Sequence, residues 1–437
     1  MTGTDPPPTS ATRRRFLAAA ATGLAAATAG CGYVPGGGDL AWETSLRAGG
    51  LAFGSDRWYR ALGNRLVMVE NQSGQQYDID SDEWREVSNA AVSALAPDGS
   101  HREVGETDRQ AVAAPAVAGG AVFLPVEGGR VTAIDLSTEG TGDDSRDDAT
   151  ATDSEGDAVR WRVDVGAVLG AGPGDGDETS EPVLRGVRRG DALAVAIGGG
   201  GITAFDAETG EEAFAVPDLW TGASGDGTPA DAMSHIAIDD ETVWTLVPED
   251  ASAAGDAAIV GYDRTGEQIA RRAVAADYEW IVAVDEGVVA GKPGESVVGF
   301  DGRLDRRFAL DVSAPTSRST LIVTDEGRLH YSRGRTVTAI DVQGGEIAFE
   351  RSNVPPDHLA VGAGGTYVAA NEGGFNDPTE ARVVAIDDGG ETWWEAPLPD
   401  DVDPEALFAI GDRVVVVDEQ RAYGLHATPG ERWSPLG

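Results

Sequence analysis

Short segments in which apolar and polar residues alternate recur along this chain, and most of them end in aspartate. Such alternation predicts a β-strand that buries one face, with Ile134 or Val337 inside and the residue between exposed. A turn and a second short strand with an aromatic residue follow each segment, so the repeating unit is strand, turn, strand. The clear copies are Val131–Asp135, Ile202–Asp206, Ile259–Asp263, Val297–Asp301, Val337–Asp341 and Val383–Asp387.

The closing aspartates predict tight turns, because an aspartate carboxylate accepts hydrogen bonds from the amides of the turn that it begins. Glycines such as Gly210, Gly266 and Gly345 supply the positive φ that these turns need. Phe214 and Phe349 lie eight residues past their aspartates and are predicted to pack between neighbouring sheets. Trp394 and Trp433 lie seven residues past their turn residues. The structural turn residues predicted in this way are Asp135, Asp206, Asp263, Asp301, Asp341 and Asp387.

Two degenerate copies, Gln76–Asp80 and Ala422–His426, bring the count to eight. The last four intervals between turn residues are 38, 40, 46 and 39, and the earlier ones are 55, 71 and 57. A period near 40 is typical of a β-propeller with four strands in each blade. The sequence therefore predicts an all-β fold, an eight-bladed propeller of four-stranded antiparallel blades.

The glycine run Gly198–Gly201 belongs to this repeat. A phosphate-binding loop needs glycines that open a helix, whereas these glycines precede the strand-like Ile202–Phe205. The run is therefore predicted to be a hairpin inside a blade.

The unit resembles the pyrroloquinoline-quinone-type β-propeller repeat, A-x-D-x-x-T-G-x-x-x-W, which Ala204–Gly210 with Phe214 matches most fully. The resemblance covers residues 39–437. Members of that family are quinoprotein alcohol dehydrogenases or non-catalytic lipoproteins such as the outer-membrane barrel-assembly scaffold. The resemblance also implies that Leu40–Thr44 pairs with the C-terminal blade and fastens the ring, leaving no free edge.

The enzymatic branch of that family implies a quinone near the axis over a tryptophan, calcium bound by Glu and Asn, a catalytic Asp and a disulfide between adjacent cysteines. Cys31 is the only cysteine, and no local motif matches the calcium ligands or the base. The prediction is no catalytic residue, no cofactor and no metal, with a PQQ-dependent quinoprotein oxidoreductase as the alternative. Paired metal-ligand spacing is also absent among the five histidines, His101, His235, His330, His358 and His426.

The N-terminus predicts export and anchoring. Arg13 and Arg14 fit a twin-arginine signal, and the apolar stretch Leu17–Gly30 is too short for a stable transmembrane helix. Cys31 follows small residues, as in a lipobox, so residues 1–30 are predicted to be a lipoprotein signal peptide and Cys31 the lipidation site. Residues 31–38 are predicted to be a flexible tether. The alternative is an ordinary cleaved signal with an incidental cysteine.

Charge excludes one class of partner and suggests a habitat. Acidic residues number 74 against 33 basic ones, giving a formal net charge of -41. This surface repels nucleic acid, and with Lys292 as the one lysine it is typical of an extreme halophile. Two acidic stretches, about 139–160 and 170–181, are predicted to be surface insertions. Asp175, Asp177, Thr179 and Glu181 have calcium-like spacing but lack the rest of an EF-hand, which favours solvated acid.

These observations predict an exported, lipid-anchored, monomeric propeller that serves as a binding or scaffold module at the outer face of the cell membrane. Its partner, an unknown protein or surface ligand, is not named by the fold. Besides the quinoprotein alternative, capture of a soluble ligand remains open.

Overall fold

The computed structural model describes residues 36–46, 53–78, 83–137, 158–169, 184–189, 192–220, 232–239, 241–248, 256–285, 287–316, 321–324, 327–371, 381–399, 402–419 and 421–429. These residues form eight four-stranded antiparallel sheets, as predicted, and each sheet is one blade. Two short helical segments, Gly166–Leu169 and Ala232–His235, interrupt the strands.

The blades follow the chain, and within each blade the first strand is innermost and the fourth is outermost. Blade 1 is β2 Phe53–Leu62, β3 Arg65–Asp78, β4 Glu83–Leu95 and β5 His101–Glu106; blade 2 is β6 Ala116–Ala118, β7 Ala121–Val126, β8 Arg130–Asp135 and β9 Val159–Asp164. Blade 3 is β10 Leu184–Arg189, β11 Leu193–Gly198, β12 Gly201–Asp206 and β13 Glu212–Val216; blade 4 is β14 Ile236–Ile238, β15 Val243–Pro248, β16 Asp256–Tyr262 and β17 Gln268–Ala275. Blade 5 is β18 Trp280–Val284, β19 Gly287–Lys292, β20 Ser296–Asp301 and β21 Arg306–Leu310; blade 6 is β22 Leu321–Val323, β23 Arg328–Arg333, β24 Thr336–Asp341 and β25 Glu346–Ser352. Blade 7 is β26 Pro356–Gly362, β27 Gly365–Asn371, β28 Ala381–Ile386 and β29 Thr392–Pro397; blade 8 is β30 Ala406–Ile410, β31 Arg413–Asp418, β32 Arg421–His426 and, from the other end of the chain, β1 Leu40–Ser45.

The N-terminal strand closes the ring. β1 pairs antiparallel with β32, with Trp42 opposite Gly424 and Thr44 opposite Ala422. The predicted pairing of Leu40–Thr44 with the C-terminal blade is therefore confirmed. Because this strand comes from the opposite chain end, the last blade is complete only when both ends of the domain are in place.

Eight hydrophobic clusters run around the ring, and each joins two neighbouring blades. One cluster, for example, packs Val67 of blade 1 against Ile134 of blade 2, and another returns from Val415 of blade 8 to Leu66 of blade 1. The expectation that only one face of each repeat strand is buried was wrong, because Thr132 between Val131 and Ala133 is as fully buried as they are. Each middle strand is covered by a blade on both sides, so both of its faces face apolar neighbours.

The outer strands carry the aromatic residues, and these pack against the next blade as predicted. Phe214 of blade 3 lies on Gly266 of blade 4, where an added Cβ would come within 2.7 Å of the ring. Positive φ at such glycines and the close approach of the ring both exclude a side chain. The same pairing of an outer aromatic with a glycine of the next blade occurs for Trp161 and Gly210, Phe308 and Gly345, Phe349 and Gly390, Trp394 and Gly38, and Trp42 and Gly99.

Blades 4 and 5 invert this arrangement. The outer strand of blade 4 has Ala270 at the aromatic position, and the hairpin of blade 5 has Leu304 at the glycine position. Leu304 adopts φ 63° and is 1% exposed, so its side chain fills the room that the missing ring leaves. A non-glycine residue in the left-handed region is uncommon, and here it has a packing reason.

A double-mutant cycle checks this complementarity. Ala270→Phe alone is expected to overpack the interface and Leu304→Gly alone to leave a cavity, each lowering the free energy of unfolding by about 2 kcal/mol. The double variant, which restores the arrangement of the other interfaces, is expected to lose less than the sum of the two. Denaturant unfolding of the four proteins measures the coupling free energy between the two positions. Additive losses would show that Ala270 and Leu304 do not compensate for each other.

Several predicted boundaries were wrong. The copy at Gln76–Asp80 is not a third strand: Gln76–Asp78 end β3, and the third strand of blade 1 is β4, which leads into a turn at Asp98 and Gly99. The insertion predicted at 139–160 ends before Val159, where β9 begins. Gly36–Gly38, expected in the flexible tether, form a turn against Trp394, with the Gly38 amide donating to the His426 carbonyl over 2.9 Å. Trp433 lies outside the described residues, and the outer strand of the last blade instead carries Trp42.

Candidate binding faces

The two faces of the ring differ because antiparallel strands alternate in direction. Connections between first and second and between third and fourth strands lie on one face, here called the tight-turn face. Connections between second and third strands and between blades lie on the other, here called the loop face. On the tight-turn face every connection spans two to five residues except the insertion of blade 2. On the side of the loop face, consecutive strands are separated by more residues: nine between β5 and β6, 19 between β9 and β10, 19 between β13 and β14, ten between β21 and β22 and eight between β29 and β30.

The repeat aspartates lie at the tight-turn face, and their carboxylates hold the turns. Asp206 Oδ1 accepts from the Thr209 amide at 2.8 Å and the Glu208 amide at 3.0 Å. These bonds, the Thr209 amide first, keep the pKa of Asp206 below its usual value. A hydroxyl bond from Thr265 does the same for the pKa of Asp263. Asp135, Asp301, Asp341 and Asp387 each accept at least one turn amide in the same way.

Blade 1 extends the loop face with a hairpin arm. β3 and β4 have 14 and 13 residues, and they remain paired out to Asp78 opposite Glu83, well past the end of β2. Trp84 near the end of this arm is 62% exposed. Its sequence does not distinguish it, because a tryptophan in an alternating segment resembles the buried aromatic residue of the repeat. Exposed aromatic residues are enriched at protein interfaces.

The connection beside the arm is fixed by buried polar side chains. Asn71 donates from Nδ2 to the Ala111 carbonyl and accepts from the Ala111 amide, both over 2.8 Å. Thr107 Oγ1 accepts from the Ala90 amide over 3.0 Å. The connection therefore presents Val112, which is 45% exposed, from a fixed backbone.

A buried ion pair lies where the ring closes on the loop face. Glu70 of blade 1 is 7% exposed and pairs with Arg57, which also donates to the Glu419 carbonyl of blade 8. Burial of a charge is tolerated only when it is paired. The pair thus ties the second strand of blade 1 to blade 8 rather than offering a free cation.

His330 is the one histidine whose environment is strongly perturbed. It is 3% exposed between blades 6 and 7, and its Nδ1 lies 3.0 Å from Thr366 Oγ1. Burial, helped by the charge of Arg328, lowers the pKa of His330 to about 4. In the unfolded chain the pKa of this histidine is about 6.5. Between that pH and about 4, the unfolded chain therefore binds a proton at His330 that the folded chain does not bind.

Acid is therefore expected to destabilise the fold through this residue. The stability contribution of neutral His330 is complete above about pH 6.5 and is lost as the pH falls toward 4, by up to about 3 kcal/mol. His330→Gln, which keeps a hydrogen-bonding side chain, is expected to reduce that loss between pH 6.5 and 4.5. Denaturant unfolding at pH 8 and 4.5 measures it, and an unchanged pH dependence in the variant would contradict the assignment.

The other candidate residues do not come together. Within the described ranges, no three histidine, cysteine or acidic side chains lie close enough to hold a metal ion. Arg13, Arg14, Cys31 and most of both acidic insertions fall outside the residues that the structure describes. In the part of the chain that is described, no helix has the length and apolar character to cross a membrane.

Comparison with known proteins supports the β-propeller fold. No family model matches the chain, and no curated protein matches it. Among solved structures, the C-terminal WD40 domain of Sif2 is 9% identical with a TM-score of 0.52, covering 90% of this chain and 99% of that one. BamB from Moraxella catarrhalis is 14% identical, with a TM-score of 0.47 and coverage of 88% and 98%. Sqt1 of Saccharomyces cerevisiae is 8% identical, with a TM-score of 0.47 and coverage of 83% and 93%.

Proposed function

We propose that this chain is an exported, lipid-anchored binding module that presents the loop face of its propeller to a partner protein. The observation that carries the proposal is the asymmetry of the ring. Apart from the insertion of blade 2, one face has only short turns, whereas the other has long connections, the blade 1 arm and the exposed Trp84. Rigid scaffolds use such connections for recognition.

The position of the N-terminus supports this orientation. Gly38 is hydrogen-bonded to His426 at the end of β32, which is the tight-turn face. Gly36 follows Cys31 by five positions, and an extended chain of that length spans about 18 Å at most. A lipid on Cys31 would hold the tight-turn face toward the membrane and leave the loop face pointing away from it.

Anchoring is tested with Cys31→Ser in the native host. The unchanged protein is expected in the membrane fraction and the variant in the soluble exported fraction, because a thioether-linked lipid cannot form on serine. Membrane retention of the variant, or its failure to leave the cell, would contradict the lipid anchor or the export route respectively.

The binding face is tested with photo-crosslinking residues at two exposed positions. Position 112 reports on the loop face, and position 208 in the turn after Asp206 reports on the tight-turn face. Position 112 is expected to give a discrete protein crosslink in intact cells, weakened by Trp84→Ala, while position 208 is expected to give none. Crosslinks to protein from position 208 alone would show that the partner binds the tight-turn face, and they would contradict the proposal.

A further inference from the structure

The outer strands of blades 4 and 5 differ in charge from the rest of the rim. Six of the eight outer strands contain at least one carboxylate, as Glu43 and Glu395 do in their strands. The outer strand of blade 4, QIARRAVA, and that of blade 5, RRFAL, contain none, and each contains two arginines. These two strands belong to adjacent blades, in a chain whose acidic residues outnumber the basic ones by more than two to one.

A cleft between these strands brings the arginines together. Arg272 of blade 4 reaches across to blade 5, with its guanidinium carbon 5.4 Å from the centre of the Phe300 ring and its Nη1 donating to the Leu304 carbonyl over 2.6 Å. Arg306 lies directly opposite Phe300 in the strand register. Burial and the charge of Asp277 raise the pKa of Tyr278, which lies between the two blades, and the nearby charges of Lys292, Arg306 and Arg272 oppose that shift.

The interface beneath the cleft lacks the outer aromatic side chain that six other interfaces have. Ala270 stands where the outer strands of blades 2, 3, 6 and 7 carry a ring, and the buried side chain of Leu304 fills that space instead. We call the set formed by Ala270, Arg272, Tyr278, Phe300 and Arg306 the arginine cleft.

Three arginines beside this cleft have no carboxylate partner among the described residues. Arg303, Arg306 and Arg307 are exposed, and none has a side-chain hydrogen bond or ion pair with another described residue. Several other arginines pair with acids, as Arg160 does with Asp135 at 3.0 Å and Arg328 with Asp388 at 2.8 Å. Even Arg272 reaches Asp305 only at 4.0 Å. Unpaired guanidinium groups keep their donors for an external carboxylate.

We propose that the arginine cleft binds an extended acidic segment of a partner protein. Carboxylates spaced along a peptide match the forked donors of Arg272 and Arg306. The adjoining outer strands also have an unpaired main-chain edge that an extended peptide can use. The inference supplies a partner chemistry for the binding role proposed above and rests on that role, but it does not depend on lipidation of Cys31.

The test uses the full chain and a short labelled polyglutamate peptide in fluorescence anisotropy, at about 1 M salt to screen long-range attraction. Arg306→Glu is expected to weaken binding about tenfold or more, because it replaces a charge-assisted hydrogen bond with repulsion. The matched control is Arg162→Glu, which makes the same charge change on the exposed outer strand of blade 2 and is expected to alter binding less than about twofold. Circular dichroism checks that both variants are folded.

Three results would overturn the proposal: equal binding of an uncharged polyglutamine peptide, equal loss in the two variants, or absence of peptide binding. Arg306-dependent binding to vesicles of anionic lipid without peptide binding would also overturn it, because the ligand would then be a membrane. Crosslinking from position 112 separates the two proposals. A crosslink that persists while the peptide test fails removes the cleft and leaves the loop face as the binding surface.

Discussion

Replacing the half-buried Trp42 with alanine is expected to destabilise the propeller by about 2–3 kcal/mol, somewhat less than the roughly 3–5 kcal/mol typical of a fully buried aromatic side chain. Trp42 acts at two interfaces at once. Within blade 8 it lies over Gly424, and toward blade 1 it packs on Gly99 while its Nε1 donates to the Pro97 carbonyl over 2.6 Å. Its strand, β1, is also the one outer strand that no hairpin joins to its own blade. Chain connectivity therefore cannot hold it in place once the ring contacts are lost.

The effect is measured by denaturant unfolding and by the rate at which protease removes the N-terminal strand. Trp393→Ala is the matched control, since that tryptophan lies on the outer strand of blade 7 but is 37% exposed. It is expected to cost less than about 1 kcal/mol. Equal losses for the two tryptophans would mean that β1 is not what closes the ring.

Recurrence made the architecture predictable, and one local departure from it caused the principal error. In blade 1 the turn position taken by aspartate elsewhere is Ala96, whose amide donates to the Ser100 carbonyl just as the Asp263 amide donates to the Glu267 carbonyl. The backbone bonds that define the turn need no carboxylate. A pattern that requires aspartate after an alternating segment therefore predicts the turn of blade 1 at Gln76–Asp80 instead of at Ala96.

The candidate sites were less predictable because they depend on which side chains a neighbouring blade covers. Trp84 and Trp161 both lie in alternating segments, yet Trp161 is 8% exposed between blades whereas Trp84 lies on an arm that extends past them. Similarly, the arginines of β17 and β21 are visible in the sequence. Their meeting in one cleft follows from the pairing of β21 with β20 and from the packing of blade 4 on blade 5, tertiary relations that no single strand encodes.

Transfer to low salt is expected to unfold the protein or lower its unfolding midpoint strongly. With a net charge of -41, the folded surface holds carboxylates close together, as at the exposed neighbours Glu211 and Glu212. At about 1 M salt charges are screened beyond about 3 Å, whereas at about 0.1 M they repel over about 10 Å. Compaction then carries a repulsion that the expanded chain avoids. Circular dichroism in decreasing potassium chloride measures the loss, and a spectrum unchanged in dilute buffer would contradict it.

Two comparisons separate screening from other effects of salt. Choline chloride, whose cation is too large for a specific carboxylate site, is expected to preserve the fold about as well as potassium chloride if screening is the cause. Glu211→Gln with Glu212→Gln removes two like charges and keeps the turn bonds of Glu211, which its backbone makes, and it is expected to shift the transition to lower salt. Asp206→Ala also removes a negative charge, but it leaves the Thr209 and Glu208 amides without their acceptor, which costs about 1 kcal/mol. If that variant also became more stable at low salt, repulsion would outweigh the turn bonds even at the repeat aspartates.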